Sequence, residues 1–193
     1  MKNMTTELAF AGLIMFMFTG CMKQMSESVI DTNAGVNGGF EITQNEMPVN
    51  WQFYTQKTTG KGNFVIGLDK KNFKEGKQSL KFSVADCSSE GGRFSPGLAQ
   101  EIPAKEGDEF TVKFWVKNSE CEFLVKINGI NATESDNGIN FKSGDNSDEW
   151  KQLKFKYTIP KEMNRLRIEI NIIKPGNFWI DYFEIEKMES QKN

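Results

Sequence analysis

The stretch EFTVKFWVK, residues 109–117, decides the reading of this chain. Phe110, Val112, Phe114 and Val116 fall on one side of an extended backbone, and Thr111, Lys113, Trp115 and Lys117 on the other. A period of two with one dry face and one wet face is the pattern of a half-buried β-strand. The alternation recurs on both sides of it. Leu80, Phe82 and Val84 share a face in residues 79–85, and Phe123, Val125 and Ile127 in residues 121–127. Residues 153–159 align Leu153, Phe155, Tyr157 and Ile159, and residues 165–172 align Leu166, Ile168, Ile170 and Ile172. FWIDYFEI, residues 178–185, closes the series. The turn-forming clusters KEG (74–76), SPG (95–97), EGD (106–108) and KPG (174–176) separate these runs. No run of ten or more residues carries an apolar stripe at helical spacing. The expected fold is therefore all-β: antiparallel strands, each with one face wet, in a sandwich or barrel.

Composition narrows the function. The chain has 193 residues, 24 Lys and Arg against 26 Asp and Glu, and no His. That length suits one domain with a real core. A net charge of −2 leaves no basic footprint for nucleic acid. The absence of His removes the commonest general base, the Ser-His-Asp triad and most catalytic zinc sites. A short sandwich without a deep loop insertion offers little cleft for two catalytic carboxylates, so a non-catalytic protein is expected.

The N-terminus reads as an address. LAFAGLIMFMF, residues 8–18, is apolar over eleven residues, where spanning a bilayer takes about twenty. Behind Lys2 it has the form of a signal-peptide core. It runs into FTGC, residues 18–21, which resembles the lipobox of bacterial lipoproteins, with Phe18 where Leu is usual. The resemblance implies cleavage before Cys21, a lipid on the Cys21 thiol, and a place in the bacterial cell envelope, outside the cytoplasm. Residues 1–20 are then the signal peptide and residues 21–36, without periodicity, a lipidated tether. The domain is expected over 37–187, with a tail at 188–193. Cys87 and Cys121 make an even pair in an exported chain, where disulfides persist. They read as a bridge or as two buried free thiols.

Six segments in order carry a more specific resemblance: NGGFE (37–41), PVNW (48–51), EGKQSLKF (75–82), FTVKFWVK (110–117), Trp150 ahead of a strand ending in Ile159-Pro160, and FWIDYFEI (178–185). Together they resemble the family 4/9 carbohydrate-binding modules. The resemblance implies a two-sheet β-sandwich of the galactose-binding-domain-like jelly-roll type, binding poly- or oligosaccharide without catalysis. It implies one sheet containing 79–85, 178–185, 109–117 and 153–159, and a second containing 97–102, 165–172 and 121–127. In that layout 79–85 and 109–117 run parallel on either side of 178–185, and Cys87 and Cys121 leave at the same end. It also implies a structural Ca²⁺ held by Glu41 and Asp181 with the carbonyls of Gly39 and Lys77, although Tyr182 stands where many relatives carry a second acid. Two carboxylates with carbonyls and water suit a cation that takes six to eight hard oxygens.

The ligand candidate is the outer face of the second sheet. By parity Arg165, Arg167, Glu169 and Asn171 point outward from one strand, and Glu122, Leu124, Lys126 and Asn128 from its neighbour. Arg167, Glu169, Lys126 and Asn128 supply the polar half of a sugar site. An aromatic partner has to come from Phe94, Tyr54 or Phe141. The same pattern also describes a solvated face laced by cross-strand ion pairs. Trp51, Trp115, Trp150 and Trp179 sit at structural positions of the family, with Trp115 outward by parity. The acidic stretch 131–149 lacks the spacing of an EF-hand loop and reads as a solvated loop. Two functions follow. One is a lipoprotein holding polysaccharide for glycan-processing partners at the surface. The other is a protein-interaction or adhesion module of the same fold, without sugar affinity.

Overall fold

The computed structural model describes residues 29–188. Residues 1–28, which hold the expected signal peptide, Cys21 and the first half of the expected tether, and residues 189–193 lie outside that range. Twelve strands run in chain order: β1 (Thr43–Gln44), β2 (Met47–Pro48), β3 (Gln52–Tyr54), β4 (Asn63–Asp69), β5 (Ser79–Asp86), β6 (Gly97–Pro103), β7 (Glu109–Ser119), β8 (Glu122–Ile130), β9 (Ile139–Ser143), β10 (Ser147–Thr158), β11 (Arg165–Lys174) and β12 (Gly176–Met188). The helical pieces among the described residues are α1 (Gln56–Thr59) and one 3₁₀ turn (Gly92–Phe94). Strands β1 and β2 pair with each other. The others form two five-stranded antiparallel sheets, ordered β10-β7-β12-β5-β4 and β3-β6-β11-β8-β9. This is the expected sandwich, and every strand read from alternation lies in its expected sheet.

The core fills the space between the sheets. Leu80, Phe82, Phe114 and Phe178 from the first meet Phe123, Ile127, Leu166, Ile168 and Ile170 from the second. Phe123 and Phe178 touch across the interface with ring centroids 4.8 Å apart, within the range where aromatic pairs add to simple burial.

Strand β12 breaks its alternation once. Its pairing with β7 slips between Asp181 and Glu184, and Tyr182 has φ of 49°. This β-bulge reverses the side-chain parity, so Phe178 and Ile180 before it and Phe183 after it are all buried. The N-terminal segment docks on the bulge, where Phe183 N donates to Gly38 O at 2.9 Å. A Cβ on Gly38 would lie 1.7 Å from Phe183 O, so only glycine permits this approach.

Some expectations need amending. The stretch 131–149 is not all loop: it contains β9 and the start of β10. Phe141 on β9 packs against Phe123 and Phe155, on the core side rather than the ligand face. The Cys87–Cys121 bridge is not formed. Both thiols are free, and Cys121 Sγ donates to Asn118 Oδ1 at 2.7 Å. That inward hydrogen bond occupies the sulfur. Burial, with the nearby Cys87, pushes the Cys121 thiol up to about 12. Part of the stretch read as tether is fixed to the domain: Asn50 N donates to Val29 O, and Asn50 Nδ2 to the carbonyls of Asp31 and Gly35.

Candidate functional site

The outer face of the second sheet follows from the pairing register. Leu166, Ile168 and Ile170 of β11 belong to the core, so Arg165, Arg167, Glu169 and Asn171 face away from it. Glu169 pairs with Ala99 on one side and Lys126 on the other; Ala99 pairs with Gln52, and Lys126 with Asn140. One row of side chains therefore crosses all five strands, a span of about 19 Å at the usual strand spacing. The next row holds Glu101, Arg167 and Asn128.

A charged network fills the middle of this face. Arg167 Nη2 donates to Glu169 Oε2 at 2.9 Å, and Arg167 also binds Glu101 and the Tyr54 hydroxyl. Tyr54 donates to Glu169 Oε2 at 2.8 Å. Arg165 Nη1 reaches the other Glu101 oxygen at 2.8 Å. Glu169 is 7% exposed, a depth at which a carboxylate needs partners. Burial first, then the Glu169 charge, push the Tyr54 phenol well above its ordinary range. Burial opposes the Arg167 charge, but Tyr54, Glu169 and Glu101 outweigh it and raise its pKa.

Lys126 and Asn128 stand beside this network. Among the described residues neither side chain makes a hydrogen bond or ion pair, so their donors are open to a ligand. The fifth candidate, Phe94, lies on the 3₁₀ turn. That turn is tied to the face through Asn171: Gly92 N donates to Asn171 Oδ1 at 2.8 Å, and Asn171 Nδ2 to Gly92 O at 2.9 Å. Phe94 is 40% exposed, and the Arg93 guanidinium lies 5.0 Å from its ring centroid. Lys126, Asn128, Arg167 and Glu169 are thus neighbours, and Phe94 sits on a loop anchored at their rim. The face carries both patterns anticipated from parity: a cross-strand ion-pair lattice, and uncommitted donors next to it.

Glu101 and the Tyr54 hydroxyl were not visible as part of this cluster. Strand β6 reads GLAQEIP, where Ala99 takes an outward position and the polar Gln100 an inward one. That inversion mutes the alternation that would have marked Glu101.

Trp51 is buried against Phe40 and Phe183, and Trp150 is half-buried. Trp179 donates from Nε1 to Asp69 at 2.8 Å. Trp115 points outward as expected, but Lys74 Nζ covers its ring 3.9 Å from the centroid.

The calcium candidates meet at the β12 bulge. Asp181 is fully buried and accepts from the backbone N–H groups of Lys74, Glu75 and Tyr182 at 2.7–3.1 Å. Glu41 Oε1 accepts from Lys77 N at 2.7 Å and Gln78 N at 3.3 Å. Gly76, at φ of 76°, leaves room for it, since a Cβ there would lie 2.1 Å from Oε1. Both carboxylates therefore converge on residues 74–78. Burial raises the Asp181 pKa, the three N–H bonds oppose this, and the Glu41 charge adds to it. A carboxyl whose folded pKa is raised costs nothing below the unfolded carboxylate value and lowers stability as pH rises above it. Among the described residues no cation pairs with either acid, and no cluster of three His, Cys, Asp or Glu is present. Two acids converging on one short segment are part of the donor set a hard cation takes.

Comparison with known proteins agrees with the fold. A solved structure titled "CBM4 structure and function" aligns at a TM-score of 0.57 and 16% identity, covering 79% of this chain and 98% of its own. The CBM22-1 xylan-binding domain of Paenibacillus barcinonensis Xyn10C aligns at 0.52 and 13%, covering 79% and 93%. A further xylan-binding domain of family 22 aligns at 0.52 and 14%, covering 78% and 92%. At these identities the likeness is one of fold. No curated protein matches the sequence. The carbohydrate binding domain family 4/9 matches residues 32–176, most of the domain, and the chain belongs to that family.

Proposed function

We propose that this chain is an extracytoplasmic lipoprotein that binds poly- or oligosaccharide without catalysis on the outer face of the β3-β6-β11-β8-β9 sheet. Cys21 carries the lipid and residues 22–28 join it to the domain. One observation carries the sugar reading: Lys126 and Asn128, without side-chain partners, adjoin a polar network already held in place by its own bonds. Such a network supplies preoriented acceptors and donors for ring hydroxyls, and Phe94 offers an apolar surface at the rim. Catalysis is not part of the proposal. Glu101 and Glu169, the acids of the central network, are both committed to Arg167.

A structural Ca²⁺ between Glu41 and Asp181, with the Gly39 and Lys77 carbonyls, belongs to the same proposal. Its contribution is charge compensation that pins the N-terminal segment to β12. The polysaccharide class is proposed to be xylan or a related β-linked glycan, supported by two structural neighbours that are xylan-binding domains. Affinity electrophoresis of residues 22–193 through gels containing xylan, β-glucan or mannan tests this. Retardation by one class supports the reading. Unretarded migration of a folded sample in all gels, with capture of an envelope protein in pull-downs, supports the protein-interaction alternative.

A further inference from the structure

A cavity of about 400 Å³ opens at the β3 edge of the binding face, between the N-terminal segment and β6. Strand β3 covers β6 only as far as Ala99, so the β6 edge beyond it is free to line a notch. Ile30, Val36 and Ile102 give it apolar walls, and Gln52, Gln100 and Glu101 its polar ones. Two buried acceptors, Gln52 Oε1 and Gln100 Oε1, have no hydrogen-bond partner among the described residues. Gln100 is 7% exposed, and its amide nitrogen is already spent on the carbonyls of Val36 and Asn50. A buried carbonyl oxygen without a donor is costly unless something supplies one.

We infer that this notch receives one neutral saccharide unit, a branch of the glycan lying on the sheet face. The inference rests on the proposed glycan-binding function and adds the substituent that the site selects. Three observations point to that occupant. Glu101 lines the notch and also binds Arg167 in the central network, so notch and face are continuous. The apolar walls suit the C–H surface of a sugar ring, and the unpartnered oxygens require O–H donors, which sugar hydroxyls supply. Asp31 and Glu101 are the ionisable residues of the lining, and it holds no Lys or Arg. A uronate branch would therefore meet like charge.

The test is calorimetry of the full-length chain with matched probes. These are xylohexaose and cellohexaose as linear ligands, arabinosyl-xylohexaose and a xylosylated glucan oligosaccharide as neutral branched ligands, and glucuronosyl-xylohexaose as an anionic one. A neutral branch is expected to tighten binding about tenfold over its linear parent, the increment of one or two hydrogen bonds to unpartnered acceptors. The glucuronosyl probe is expected to show no such gain. Gln52→Leu should bring the branched-to-linear ratio to about one. Thr32→Trp, which narrows the mouth from an exposed position off the face, should do the same while keeping xylohexaose affinity within about twofold. Equal affinity for branched and linear probes overturns the inference and leaves glycan binding standing, as does a branch advantage that survives both variants. Binding of no probe by a folded sample overturns the glycan reading and this inference with it.

Discussion

Arg167 holds the binding face together, and its removal tests whether the network is structural. Its side chain is 18% exposed and contacts Glu101, Glu169 and Tyr54. Arg167→Ala leaves Glu169, whose side chain is 9% exposed, with the Tyr54 hydroxyl as its hydrogen-bond partner. Removing one member of a buried ion pair costs about 3–5 kcal/mol. Glu101 is partly solvated and keeps Arg165, which favours the lower end, about 3 kcal/mol. For a domain of this size each kcal/mol moves Tm by about 2–4 °C, so the expected drop is about 6–12 °C. Arg165→Ala is the control. Arg165 is 41% exposed, and an exposed pair contributes about 0–1 kcal/mol, or a Tm drop of at most about 4 °C. Differential scanning calorimetry at pH 7 reads both. Equal drops would refute the claim that burial separates the two arginines. So would recovery of the wild-type Tm by Arg167→Lys, because a lysine cannot reproduce the branched guanidinium contacts.

Burial pushes the Cys87 thiol up to about 11 and Cys121 to about 12, so at pH 8 about one thiol in a thousand or fewer is thiolate. Ellman's reagent should react with the native protein at least about a hundredfold slower than with the unfolded chain, and rapid native reaction of two thiols would contradict this. Tyr54 and Tyr157 are both raised, chiefly by burial, with Glu169 and Asp136 respectively as acceptors. Their neutral forms stabilise the fold fully below the unfolded value near 10, and that contribution is lost as pH rises through the folded values. Absorbance at 295 nm should therefore show these two ionising only with alkaline unfolding, and ionisation of more than one of the three tyrosines near pH 10 in a folded sample would contradict the burial. If Ca²⁺ sits between Glu41 and Asp181, a hundredfold excess over Kd adds about 2.7 kcal/mol of stability. Glu41→Gln, which keeps the Oε1 acceptor for Lys77 and Gln78, should abolish that gain without lowering the calcium-free Tm. A calcium-induced rise that persists in Glu41→Gln would move the ion elsewhere.

The fold was legible because its strands are amphipathic: residues 79–85, 109–117 and 165–172 each carry an unbroken apolar face. Strands β4, β3 and β9 were harder to read. In β4 the outward Val65 is apolar and Gly67 interrupts the run, while β3 and β9 span three and five residues. The polar candidates on β8 and β11 followed from parity alone, since a pleated strand offers no other choice of face. Glu101 and the Tyr54 hydroxyl did not: Tyr54 was read only as a ring, the inverted Ala99-Gln100 pattern of β6 hid the face that Glu101 takes, and nothing in the sequence marked β3 as the partner of the β6 edge. The thiols went the other way. Compartment and parity favoured a bridge, and the side-chain carboxamide of Asn118 captured Cys121 instead.

The central claim is that uncommitted donors on this face bind glycan, and Lys126 and Asn128 test it with least disturbance to the fold. Isothermal calorimetry with the polysaccharide that retards the protein should compare wild type with the Lys126→Ala, Asn128→Ala double variant. The account predicts affinity at least about tenfold weaker, from two lost hydrogen bonds to ligand, with Tm unchanged within about 2 °C because neither side chain has a partner to lose. Full affinity in the double variant would contradict the account and place the glycan elsewhere on the domain.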